Sequence, residues 1–376
     1  MTKEPEHNFF GYYDLQPWSG DGRYHLCHRV AFRDRMQAAT DVAELGLIDM
    51  VSRQFIPFAR TYTWNFQQGA MLQWHPQKPN EEVIFNTRVN GRFTGAIFNL
   101  ATRQVRLLSY PVANVDPTGR YALGINFSRL FDFRPGYGYA GIPDPNFHVN
   151  HPEDDGIFLI NLEDGSGRLI ISYRQMADFF THHNWIADAK LVVNHITFNT
   201  DGSRFVFLVR NMSRSWQTSV LTAAVDGSDI RTHIDFSLAS HYHWRDPEHL
   251  LIWARVVQNG PAGLFLIDVR DNSTTLLDPA FFTADGHCSY SPDGSKLLYD
   301  SYPDQEGYRH LYLYDLRQGR GITLAVLRSL PNKFLYHNDM RCDLHPRWNR
   351  TGTAISFDSI HEDHRHVYWM EIPESL

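Results

Sequence analysis

Four histidines stand at one repeated register. His195, His241, His287 and His345 each lie three residues before an aromatic side chain (Phe198, Trp244, Tyr290 and Trp348) that precedes a turn. The same register holds Leu15 ahead of Trp18 and Met71 ahead of Trp74. Imidazoles repeated on neighbouring structural units converge when the units surround an axis, and converging imidazoles are what a divalent cation needs. Asp343, two residues before His345, falls on the same face of an extended strand and adds a carboxylate. The ligand set would be imidazole nitrogen from this register with the Asp343 carboxylate. Nitrogen and oxygen without thiolate suits Mn, Fe, Ni or Zn and does not choose among them. Cys288 and Cys342 stand at odd offsets from these residues and are expected to point away. A core imidazole tied to a carbonyl is the ordinary alternative for any single histidine; four at one register favour a shared site.

Arginines flank the same segments: Arg88 and Arg92, Arg210 and Arg214, Arg341 and Arg347. Guanidinium groups bind carboxylates through two parallel hydrogen bonds, so the set suggests a carboxylated ligand. Surface solvation is the usual fate of any one arginine. Arg341 and Arg347 are the stronger candidates because they bracket His345. Trp64, Trp185, Trp244 and Trp348 suit either sugar stacking or packing between repeats.

The elements that must position these residues follow from a second pattern. Tight-turn sequences recur at Gly20-Asp21-Gly22, Pro117-Thr118-Gly119, Thr200-Asp201-Gly202, Pro292-Asp293-Gly294 and Arg350-Thr351-Gly352, with looser copies at 76–80 and 246–248. Each is followed by short apolar runs and by a strand end such as Ile48-Asp49-Met50, Phe98-Asn99-Leu100, Ile267-Asp268-Val269 or Tyr314-Asp315-Leu316. Seven copies predict an all-β chain: one seven-bladed β-propeller of four-stranded blades. The blades are expected at about 12–52, 70–105, 112–165, 193–230, 240–272, 286–320 and 343–373 of a single domain, 1–376. Helical crossovers for a doubly wound fold are lacking, and segments 34–45 and 175–190 are expected to hold a turn or two of helix at most. The irregular stretch Phe131–Tyr139 suits a loop covering one end of the propeller.

The net charge of −7 argues against a general nucleic-acid binder. No run approaches the roughly 18 apolar residues of a membrane span, and Met1–His7 has no apolar core of a signal peptide. Three cysteines in 376 residues are too few for a disulfide framework, so a cytoplasmic protein without a membrane partner is expected. Neither a Gly-x-Ser-x-Gly elbow nor a phosphate-binding glycine loop is present.

The segments Ser240-His241-Tyr242-His243-Trp244, Asp285–Gly294 and Arg341–Trp348 resemble the corresponding blades of oligogalacturonate lyases. Those are cytoplasmic seven-bladed propellers that use a manganese-type metal. The resemblance implies β-elimination from a uronic acid, with an acidic oligosaccharide as substrate. By position it implies that His241 is the base and that His287 and His345 bind the metal, with Mn the expected ion. Arg210 and Arg214 would then join His241 in catalysis, while Arg88, Arg92, His195, Arg341 and Arg347 would hold the substrate. One departure stands out. The family's Gln-x-x-His-x-His segment reads here Met340-Arg341-Cys342-Asp343-Leu344-His345, so Met340 replaces the glutamine and Asp343 a histidine. A glycoside hydrolase or isomerase of acidic sugars, or a non-catalytic sugar-binding propeller, remains an alternative on the same scaffold.

Overall fold

The structure, a computed structural model, describes residues 1–3, 5–212, 217–329 and 339–373. Their strands form seven antiparallel sheets, each built from consecutive chain segments, set in a ring as the blades of a β-propeller. Blade one comprises His7–Phe9, Tyr24–Val30, Ala43–Asp49 and Phe55–Thr61. Blade two follows with Gln73–Trp74, Glu82–Val89, Arg92–Asn99 and Val105–Leu107, and blade three with Val112–Val115, Tyr121–Ile125, Gly156–Asn161 and Gly167–Ser172. Blade four holds Leu191–Phe198, Arg204–Asn211, Thr218–Ala224 and Arg231–Ser237. Blade five holds Ala239–Trp244, His249–Ala254, Gly263–Asp268 and Thr274–Leu276, and blade six Cys288–Tyr290, Lys296–Asp300, Tyr308–Asp315 and Arg320–Arg328. Blade seven has three described strands, Arg347–Trp348, Ala354–Ser359 and His366–Glu371. Beside the last of these, the Thr2 N–H donates to the Val367 carbonyl (3.4 Å).

The repeated sequence signals have direct structural causes. Gly22, Gly119, Gly202, Gly294 and Gly352 turn the first strand into the second with φ between 68° and 75°, a region closed to most side chains. The acidic or amide residue ending the third strand caps the next turn. Asp49 accepts the Val51 N–H, Asn99 that of Ala101, Asp268 that of Arg270 and Asp315 that of Arg317, at 2.8–3.1 Å.

Neighbouring blades are tied through their inner strands. Trp74 Nε1 donates to the Pro17 carbonyl, Trp244 Nε1 to that of Thr197 and Trp348 Nε1 to that of Ser289, each in the preceding blade. These indoles are buried. Packing between blades is their role, and they are not open stacking platforms. Between blades four and five, Val206, Leu208, Val220, Leu250 and Ile252 form one apolar cluster. Each such buried side chain contributes roughly 1.5–3 kcal/mol.

Two short helices interrupt the pattern. Helix α1 (Phe127–Phe133) lies in the insertion between the second and third strands of blade three, capped by Asn126, whose side chain accepts the Ser128 and Arg129 N–H groups. This insertion buries Tyr137 and Tyr139, so the stretch expected to cover one end of the propeller is packed into it. Helix α2 (Tyr173–Phe179) follows blade three, capped reciprocally by Ser172 and Gln175. Segment 34–45 holds no helix. No helix among the described residues is long and apolar enough to cross a membrane.

Candidate functional site

The four histidines converge. Ring centroids lie 3.9 Å apart for His241 and His287, 4.3 Å for His287 and His345, and 6.3 Å for His195 and His241. All are buried, His195 being the most exposed at 8%. Local irregularity delivers them. His195 sits at a register shift between Asn194 and Ile196, and His241 within one between Ala239 and Tyr242. His287 immediately precedes its blade's first strand, and His345 lies two residues before its own. Met71, His195 and His345 share a left-handed backbone, with φ of 52°, 50° and 42°. Holding a non-glycine residue there costs about 1–3 kcal/mol, and such strain gathers where a side chain must be aimed.

Carboxylates orient the imidazoles. Asp300 Oδ1 accepts from His287 Nδ1 at 2.9 Å, turning Nε2 inward. Asp285 Oδ1 accepts from His241 Nδ1 at 3.0 Å, which leaves Nε2 as that ring's basic nitrogen. Burial lowers the His241 pKa despite the opposing pull of Asp285, so this imidazole is neutral at pH 7. Burial, followed by His287, drives His345 well below its usual range, and burial with Arg210 does the same for His195. The Tyr12 hydroxyl lies 3.1 Å from His195 Nε2.

One group has the makings of a metal site. His287, Asp343 and His345 present ligand atoms that all lie within 4.8 Å of one another. His287 Nε2 and both ring nitrogens of His345 are buried without a hydrogen-bond partner among the described residues. Orphaned imidazole nitrogens beside a carboxylate fit a divalent cation, and the Asp300–His287 pair is the outer-shell support such ligands normally have. Asp343 also receives Arg341 Nε (2.8 Å) and faces Arg309 Nη2 (2.5 Å). Although burial opposes it, these guanidiniums hold the Asp343 carboxyl ionised well below the usual range. Asp343 and His345 do not lie on a regular strand as expected; the turned backbone at His345 brings them together instead. Cys288 and Cys342 are buried away from the group, in an apolar cluster and against Ile360.

The arginines divide. Arg341 belongs to the cluster, donating to Asp343, Asp339 and the Tyr137 hydroxyl. Arg210 is buried beside it, held by Asn194 (2.5 Å) and Thr218 (2.8 Å). Burial, reinforced by Arg134, lowers its pKa to about 10, which leaves it cationic. Arg347 is turned elsewhere: its Nη2 pairs with Asp358 at 3.0 Å and donates to the Gly11 carbonyl, under the Phe10 ring. Arg88 donates to the Ala39 carbonyl and Arg92 is exposed at the same hairpin of blade two, so the structure brings neither into the histidine cluster. Arg214 lies outside the described residues.

Several members of the site escaped the sequence reading. Tyr12 and Tyr13 stack on or abut the histidines, and Tyr302 lies 6.1 Å from His241. Asp300 ends the second strand of blade six, far from any motif, whereas Asp285, two residues before His287, was the one legible signal.

No protein-family model matches the chain, and no curated protein matches it in sequence. Solved structures do match in shape. An oligogalacturonate lyase in complex with manganese is 15% identical, with a TM-score of 0.71 over 98% of this chain and 91% of that one. An oligogalacturonate lyase from Vibrio parahaemolyticus is 13% identical, with a TM-score of 0.69 over 100% and 93%. A prolyl endopeptidase structure is 10% identical, with a TM-score of 0.55 over 99% of this chain and 50% of that one. The likeness is therefore one of fold: the chain shares the seven-bladed propeller of oligogalacturonate lyases.

Proposed function

We propose that the chain is a metal-dependent carbon–oxygen lyase that cleaves uronic-acid-containing oligosaccharides by β-elimination. The observation that carries this reading is a neutral, carboxylate-oriented His241 whose ring lies 3.9 Å from that of His287, in a cluster shared with His345, Asp343 and Arg341. A general base must be unprotonated at the working pH, and burial keeps His241 so. Arg341 and Arg210 would neutralise the C6 carboxylate of the sugar, so that charge building on it as the C5 proton leaves is stabilised. His241 Nε2 would take that proton, and the 4-linked sugar would depart as the double bond forms. A divalent cation held by His287, His345 and Asp343 would supply Lewis acidity at the carboxylate. Manganese is favoured by the shape-related lyase that carries it. Met340 is buried in the apolar core, which leaves a ligand set of two imidazoles and a carboxylate. Three unpaired cysteines support a cytoplasmic setting.

The test is ultraviolet absorbance of the new conjugated double bond across a panel of uronic-acid oligosaccharides, with and without chelator. Chromophore formation that chelator suppresses is expected. Cleavage without the chromophore would overturn the proposal in favour of hydrolysis.

A further inference from the structure

A second group of metal-ligating side chains, sharing no residue with the histidine cluster, lies at the outer strand of blade four. His182 and His183 follow α2 and reach Asp235, in the outer strand of blade four. His182 Nε2 lies 2.7 Å from Asp235 Oδ2, and His183 Nε2 lies 3.0 Å and 3.1 Å from the two carboxylate oxygens. All three ligand atoms fall within 4.8 Å of one another. The placement is built in rather than the chance meeting of long surface chains. The pairing of blade four's outer strand shifts register between Thr218 and Val220, and Phe236 adopts a φ of 24°. Ile234 and Phe236 are thereby buried while Asp235 between them is exposed. On the other side His183 is stacked on Trp185 (4.8 Å, 28°), and Trp185 meets the edge of Phe236 at 4.9 Å.

We propose that His182, His183 and Asp235 form a divalent transition-metal site, of the zinc, nickel or copper class, distinct from the central cluster. Two imidazoles and one carboxylate match the ligand preference of these ions. Ligands about 2.0–2.1 Å from a tetrahedral ion stand about 3.3 Å apart. Nitrogens now 2.7–3.1 Å from the carboxylate need open by only a few tenths of an ångström. Three protein ligands leave a coordination position vacant. His183 and Asp235 line a cleft of about 770 Å³ walled by Trp185, Phe236 and Arg255, a space through which water or an oxygen-donor ligand could reach a bound ion.

The test is calorimetric titration of the full chain with Zn²⁺, comparing the wild type with His182→Ala/His183→Ala and with Asp235→Asn. The histidine pair variant is expected to bind one equivalent less than the wild type. Asp235→Asn is expected to weaken that same equivalent at least tenfold. This difference is read whether or not the central cluster binds Zn²⁺, so failure of the lyase reading does not touch it. Wild type and pair variant binding the same number of ions would overturn the site. So would a Zn²⁺-soaked crystal without an anomalous peak among the three residues.

Discussion

Asp300 grips His287 at two points: its Oδ1 accepts both the His287 backbone N–H, at 2.7 Å, and the Nδ1 proton of the same residue, at 2.9 Å. The other oxygen reaches the His345 backbone N–H at 3.2 Å. One buried carboxylate therefore fixes the ring of one metal-ligand candidate and the backbone of the other, across the boundary between blades six and seven.

Asp300→Asn should break this arrangement, because an amide presents a donor where the aspartate accepted from two directions. Loss of an outer-shell partner of this kind lowers metal affinity or turnover by about 10–100-fold. The check is metal content after dialysis together with kcat, with circular dichroism confirming the fold. Values within twofold of wild type would contradict the assigned role.

His241→Gln should lower kcat by about 10²–10⁴-fold while leaving the metal content unchanged, since the base and the ligand set are different residues. Asp285→Asn should give a smaller loss, because it disturbs only the orientation of the ring that Asp285 holds at 3.0 Å. An equal loss of metal in His241→Gln would move this residue into the ligand set.

The legibility of the molecule in its sequence was uneven for physical reasons. Inner strands and turns were visible because Gly22, Gly202 and Gly294 must adopt positive φ and because the tryptophans must reach the preceding blade. The outer strands were not: Thr274–Leu276 and Val105–Leu107 are largely exposed and carry no alternation that would set them apart from loops. Histidine register led to the cluster because the repeat itself carries those residues inward. Asp300, Tyr12 and Tyr302 sit outside that register and join only through the ring geometry. Arg88, Arg92 and Arg347 show the converse. Nearness in sequence to a site residue does not tell where a seven-atom side chain will point.

Acid should destabilise the fold through histidines buried in the neutral form, with a partial offset below about pH 6 from Asp14 and Asp155, whose carboxyl pKa burial raises to about 6. His28 is fully buried, and its Nε2 accepts the Ala70 N–H at 2.9 Å, so protonation would need a lone pair already in use. Burial lowers its pKa to about 3, against about 6.5 in an unfolded chain. Below pH 6.5 the unfolded state binds the proton and the folded state does not. Stability from this group is complete above pH 6.5 and drains as the pH falls towards 3, at about 1.4 kcal/mol per pH unit. His25, also lowered by burial, adds to the same slope. Urea midpoints at pH 7, 6 and 5 check this, and a flat series would contradict it.

Arg347→Ala separates a structural from a substrate-binding role for the one bracketing arginine that leaves the cluster. Arg347 and Asp358 are both essentially unexposed and 3.0 Å apart. Asp358 in turn accepts the Phe10 and Gly11 N–H groups, which join the chain's first blade to its last. Removing the guanidinium strands a buried carboxylate at that seam, a change that costs about 3–5 kcal/mol. The expected outcome is a large fall in unfolding free energy with KM unchanged in the folded fraction. Arg341→Ala should raise KM in addition to lowering stability, because its guanidinium lies in the histidine cluster paired with the buried Asp343. A KM rise in Arg347→Ala without loss of stability would return that residue to the substrate site.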